Sequence, residues 1–167
     1  SQLQPLYKQE RTNQKKYWER MGTWIMDLSI IIPTFKRHEL LDYGLKSLSK
    51  QKISSPFEVI VLNDGVQDRT QLICSKYADR LPIRYVFTGQ RNEQGELKWR
   101  IPAYCINIGA KLAQGKNILI ECPEMYIIND CVQSMIDLVN GDDRRLVITE
   151  GKDDRGALFL HYVKMNY

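Results

Sequence analysis

Leu28-Ser29-Ile30-Ile31-Ile32-Pro33-Thr34-Phe35-Lys36-Arg37 is the stretch on which the fold turns. Leu28–Pro33 is a short, almost unbroken apolar run rich in β-branched residues, the composition of a strand buried on both faces. Polar residues follow at once, at the strand's carboxyl end. Downstream the arrangement repeats. Phe57–Leu62 is a second apolar run that ends in Asn63-Asp64-Gly65, and Asn117–Ile120 is a later one that ends in Glu121-Cys122-Pro123-Glu124. Between them, Arg100 and Asn107-Ile108-Gly109 lie on or near a helix. In open α/β sheets the carboxyl edge of the strands is where ligands bind.

Working outward, the pattern predicts helices between these strands. Glu39–Lys50 places Leu40, Leu41, Leu45 and Leu48 on one helical stripe. Asp68 is suited to cap a helix over Arg69–Ala78. Ile83–Phe87 reads as a third strand, Pro102–Ala113 as a helix closed by Gly115 at its C-terminal end, and Asp130–Val139 as a further helix. Leu146–Thr149 and Leu158–Val163 read as strands joined by the turn-rich Gly151–Gly156, an antiparallel addition near the C-terminus. Strands alternating with helices of about ten residues mean βαβ units. The expected fold is therefore α/β, a mainly parallel sheet flanked by helices.

A chain of 167 residues suits one domain with a proper core. Residues 27–167 read as that domain, and residues 1–26 as an N-terminal helical extension or linker. The basic cluster there, Lys8, Arg11, Lys15, Lys16 and Arg20, is interleaved with Glu10 and Glu19, as on a solvated helix face. The net charge of +4 favours an anionic ligand such as a nucleotide diphosphate, but without a clustered patch it gives no ground for nucleic acid. Cys74, Cys105, Cys122 and Cys131 form no Cys-x-x-Cys pair, which argues against zinc and against a disulfide framework. A reducing, cytoplasmic setting is the expectation. No run approaches the roughly 20 apolar residues of a membrane span, and the polar start is not a secretory signal.

Neither Gly-x-Gly-x-x-Gly nor Gly-x-x-x-x-Gly-Lys-Ser/Thr occurs, which removes the two commonest phosphate cradles. What remains resembles the family 2 glycosyltransferases. Leu28 to Arg37, followed by Leu40 and Leu41, is similar to their opening strand ending in Pro-Thr-Tyr-Asn-Arg. Glu58-Val59-Ile60-Val61-Leu62-Asn63-Asp64-Gly65, with Asp68 and Thr70, resembles their Val-Asp-Asp-Gly-Ser-x-Asp-x-Thr segment. Asn107-Ile108-Gly109 and then Ala113-x-Gly115 resemble their Asn-x-Gly followed by Ala-x-Gly. Cys122-Pro123-Glu124 stands in the place of Asp-x-Asp. The four landmarks keep the family's order over roughly residues 27–140.

The resemblance implies a GT-A fold, a Rossmann-like sheet that binds a nucleotide sugar, usually with a divalent metal, Mn or Mg. Carried over residue by residue, Pro33 and Thr34 would contact the nucleoside through backbone. Asp64 would accept from base or ribose, and Arg100 would neutralise diphosphate or hold Asp64. Asn107 would touch the ligand, and Glu124 would be the surviving carboxylate of the metal motif. Each has a plainer reading as well. Asp64 stabilises its own Asp-Gly turn; Arg100 pairs with Glu96 on the surface; Asn107 bonds backbone between helix and loop. His38 reads as a solvent-facing residue that starts a helix, His161 as a core or edge histidine, and Trp99 as a lid or a packing ring.

Two departures qualify the expectation. Cys122 replaces the first acid of the metal motif. Moreover, the acceptor-binding half of such enzymes usually lies beyond the donor half, so the domain is expected to be truncated on the acceptor side. The leading expectation is a glycosyltransferase, inverting, that moves a sugar from a UDP-sugar to an acceptor hydroxyl. The alternative is a catalytically silent binding or assembly module with the same fold. A nucleotidyltransferase on a similar sheet is a third reading, weakened by the missing Gly-rich loop.

Overall fold

Residues that alternate between two apolar faces make the centre of this sheet. The computed structural model describes residues 26–89, 101–140, 142, 144–152 and 158–163. In chain order these form β1 (Met26–Thr34), α1 (His38–Leu48), β2 (Phe57–Asn63), α2 (Thr70–Lys76) and β3 (Ile83–Phe87). There follow α3 (Ala103–Leu112), β4 (Gly115–Ile120), α4 (Val132–Asn140), β5 (Val147–Lys152) and β6 (Leu158–Val163). On β1, Leu28, Ile30 and Ile32 pack with Val59 and Val61 of β2 beneath α1, α2 and α4. Ile31 points the other way, with Ile60 and Leu62, against Cys105 and Leu112 of α3. Both faces of the sheet are thus covered, which is why the strands read as continuous apolar runs. Leu41, Leu45 and Leu48 are essentially fully buried, and each such side chain stabilises the fold by about 1.5–3 kcal/mol.

The sheet has the order β3-β2-β1-β4-β6-β5. β1 pairs in parallel with β2 and β4, and β2 with β3. β6 runs antiparallel to both β4 and β5, so the final hairpin is the expected antiparallel addition. In the register, Ile31 lies between Ile60 of β2 and Ile120 of β4. The chain winds outward from β1 through β2 to β3, then returns to β1's other side as β4. That reversal creates a topological switch point between β1 and β4, where a crevice opens at the carboxyl ends of the strands.

Gly115 corrects one expectation. It does not end α3, whose C-cap is Ala113, but opens β4. A Cβ there would collide with the backbone of Leu28 and Ser29, so the residue is small to let β4 come against β1. Residues 1–25, Trp99 and Arg100 lie outside the described residues, as does the side chain of His161. Among the described residues no helix is long and apolar enough to cross a membrane.

Candidate functional site

The crevice at the switch point is a cavity of about 330 Å³. The end of β1 and its following turn supply Pro33, Thr34, Phe35 and Arg37, and the end of β2 supplies Asp64. The start of α3 contributes Pro102 and Cys105, and the turn after β4 contributes Cys122, Pro123 and Glu124. The lining mixes apolar residues with the three charged ones, Arg37, Asp64 and Glu124, as in small-molecule sites generally. Thr34 is buried, and its Oγ1 has no hydrogen-bond partner among the described residues although the residue lines the cavity.

Asp64 follows directly on β2 and is only 3% exposed. Its backbone N–H donates to the carbonyl of Thr34 (2.9 Å), which extends the β1–β2 ladder by one rung and brings the two residues together. Its side chain is held by Thr88, just past the end of β3. Thr88 Oγ1 lies 3.2 Å from both Asp64 Oδ1 and the carbonyl of Asn63, and accepts from the N–H of Gly65 at 3.1 Å. The turn itself needs glycine, since Gly65 sits at φ 74.

Across the cavity Arg37 Nη1 donates to Glu124 Oε1 in an ion pair that joins the turns after β1 and β4. Lys36, the residue before Arg37, has φ 54, a left-handed conformation uncommon for a non-glycine residue. The turn bearing Glu124 is fastened to α1 from below. Gly44 lets it pass close, because a Cβ there would lie 2.6 Å from the carbonyl oxygen of Pro123. Ser47 Oγ accepts from the N–H of Ile127 at 2.9 Å, and Gln51 Nε2 donates to the carbonyl of Asn129 at 2.9 Å.

Glu121, at the end of β4, is buried beneath this turn and does not line the cavity. Burial raises its pKa to about 8, and its Oε2 has no hydrogen-bond partner among the described residues. Burial also pushes the Cys122 thiol upward, with the charge of Glu124 adding to the effect. Among the described residues no group of three His, Cys, Asp or Glu side chains is placed to hold a metal ion.

Pro33, Thr34, Asp64 and Glu124, expected from the sequence to share a site, do surround one cavity. Asn107 does not join them: it is exposed on α3 and absent from the cavity wall. Asp68 was expected to cap α2; the N-cap is instead Arg69, and Asp68, one residue earlier, accepts from the N–H of Thr70 at 2.9 Å. His38 starts α1 as expected but does not face solvent. Its Nδ1 lies 3.5 Å from Asp68 Oδ2, and its side chain is half-buried between the two helix starts. Arg37, Thr88 and Gly44 escaped the sequence reading as site residues. Arg37 was visible in the opening motif, but only its partner on a distant turn gives it a role.

Residues 29–148 match the domain described as Glycosyl transferase family 2. The chain is 49% identical over 59 residues to the chondroitin synthase of Pasteurella multocida, covering 35% of this chain and 6% of that protein. It is 42% identical over 87 residues to the validoxylamine A glucosyltransferase of Streptomyces hygroscopicus subsp. limoneus, 52% of this chain and 18% of that one. The chain thus spans less than a fifth of either relative. Among solved structures, S. aureus TarS 1-349 in complex with UDP superposes with a TM-score of 0.66. That match is 24% identical and covers 79% of this chain and 37% of the TarS chain, a likeness of fold. With the family's domain matched across most of the sheet and the cavity at its switch point, the chain belongs to the family 2 glycosyltransferases.

Proposed function

We propose that the cavity binds a nucleotide diphosphate sugar, UDP-linked, and that the chain carries the donor half of a sugar transfer to an acceptor hydroxyl. The observation that carries this reading is that one cavity is lined by the buried Asp64, by Thr34, whose Oγ1 has no hydrogen-bond partner among the described residues, and by Arg37. Asp64, held by Thr88, accepts from the N–H or hydroxyl groups of the nucleoside, and Pro33 and Thr34 form the floor beneath it. Arg100 belongs to the same reading as a further partner of the donor's diphosphate, whereas Asn107, exposed on α3 and outside the cavity wall, does not. In the transfer, the acceptor oxygen forms a bond to the anomeric carbon, in line and with inversion, as the bond to the diphosphate breaks. Positioning and charge stabilisation at the leaving diphosphate supply the rate gain.

A divalent cation is the usual partner of this family's strand-end acids, and the residues here do not fit one. Cys122 and Pro123 offer no hard oxygen side chain, Glu121 is buried away from the cavity, and Glu124 already carries Arg37.

The test is calorimetric titration with UDP, GDP and CMP and their sugar conjugates, repeated on Asp64→Ala. Micromolar-range UDP binding that depends on Asp64 supports a donor site. Absence of any nucleotide binding sinks it and leaves the silent binding module, the reading that the replaced metal motif favours.

A further inference from the structure

We propose that Arg37 takes the role of the cation in this chain: it leaves Glu124 to bind the diphosphate of the donor, so that donor binding requires no divalent metal. The inference rests on the donor-site reading above and goes beyond it by assigning the group that meets the diphosphate.

Three observations carry it. First, Arg37 lines the cavity, and its side chain remains 46% exposed while bonded to Glu124. A guanidinium has five N–H donors in a planar fork that matches phosphate oxygens two at a time. Among the described residues Arg37 donates only to Glu124, through Nη1, so most of the fork is open to a ligand. Second, the pair joins the turns after β1 and β4 at the edge of the sheet where the cavity opens. A monodentate, half-exposed pair with one carboxylate is weak, so a diphosphate carrying several negative oxygens displaces it. Third, the turn is built to hold Arg37 there. Lys36 adopts φ 54 immediately before it, and α1 begins immediately after, so Arg37's backbone is fixed from both sides. A left-handed non-glycine residue persists only where its surroundings demand it.

Glu124 then has a different task from the one its place in the motif suggests. It is the counter-ion that keeps Arg37 extended over the cavity when no anion is bound. Substituting it should release the arginine rather than abolish binding.

The experiment is calorimetry of the chain with UDP and with uridine, in excess chelator and then with manganese, on wild type, Arg37→Ala, Arg37→Lys and Glu124→Gln. Thermal melting of each variant establishes that it folds. Wild type is expected to bind UDP in chelator with little change on adding manganese. Arg37→Ala should weaken UDP roughly 10- to 100-fold and leave uridine unchanged, since only the charged hydrogen bonds to phosphate are lost. Arg37→Lys should recover part of that loss, and Glu124→Gln should tighten UDP severalfold. Binding of UDP that appears only with manganese and disappears in Glu124→Gln would overturn the proposal while leaving the donor site intact. Equal UDP affinity in wild type and Arg37→Ala would overturn it too. Failure of wild type to bind UDP under either condition would instead remove the donor-site reading and this inference with it.

Discussion

Thr88 Oγ1 stands 3.2 Å from Oδ1 of Asp64, so the carboxylate at the end of β2 is oriented by a hydroxyl just past the end of β3. The same oxygen accepts the N–H of Gly65, which means one hydroxyl fixes both the acid and the turn that follows it. β3 therefore contributes to the site without touching the cavity. Its end supplies the rigidity that a buried acid needs to meet a ligand in one geometry.

Thr88→Val keeps the shape of the side chain and removes the hydroxyl. The N–H of Gly65 then loses its acceptor in a buried setting, at a cost of about 1–3 kcal/mol. Urea denaturation should show that loss, and calorimetry should show weaker UDP binding than wild type. Thr88→Ser should restore both. A Thr88→Val protein with unchanged stability and affinity would show that the hydroxyl is dispensable.

Lys36 occupies a backbone conformation that suits asparagine or glycine. The Pro-Thr-Tyr-Asn-Arg motif that this run resembles has asparagine at this place, a residue that tolerates the left-handed region. Lys36→Asn should raise stability by about 0.5–1 kcal/mol, less whatever is lost when the ammonium leaves the ring of Phe35. The midpoint of urea unfolding measures this. A lower midpoint would mean that contacts of the lysine outweigh the strain.

Gly44→Ala places a methyl group against the carbonyl oxygen of Pro123, backbone that cannot swing aside like a side chain. The turn must move or the helix must shift, and overpacking of this kind costs about 1–3 kcal/mol. Because the displaced turn carries Glu124, the Arg37 pair should be disturbed as well. Loss of stability with altered UDP affinity is expected from melting and calorimetry; loss of stability alone would confine Gly44 to packing.

Glu121 gives a pH dependence with a definite sign. Its folded pKa of about 8 lies above the ordinary 4.5, because burial disfavours the charged form. Between those values the native state holds a proton that the unfolded state has released, so this group lowers stability as pH rises through the window. Glu121→Gln removes the titration. Relative to wild type the variant should gain steadily across the window, by on the order of 4–5 kcal/mol at its top. Parallel stability–pH curves for the two proteins would show that Glu121 ionises as an exposed carboxylate does.

Much of the fold was legible because its causes are local. Leu28–Pro33 and Phe57–Leu62 are apolar on both faces, and that alone marks them as inner strands of a parallel sheet. Asp64-Gly65 announces a turn, and Asp68 a helix start, through chemistry confined to a few residues. Gly115 misled because glycine serves two purposes: the same residue that ends helices also clears space between strands, and only the position of Leu28 and Ser29 tells which. His38 misled for a related reason, since a polar residue at a helix start reads as exposed until Asp68 of a different segment is found beside it.

What the amino-acid sequence determined by itself was the order of strands and helices, the burial of the inner strands and the collection of polar residues at their carboxyl ends. These follow from hydrophobic period and turn chemistry, which act over a turn or a strand. The tertiary structure alone decided that Arg37 meets Glu124, that Thr88 holds Asp64 and that Glu121 is shut away from the cavity. Each of those relations joins residues far apart in the chain. They exist because β4 returns to the free side of β1 and β3 lies beyond β2, an arrangement set by packing both faces of one sheet rather than by any local run.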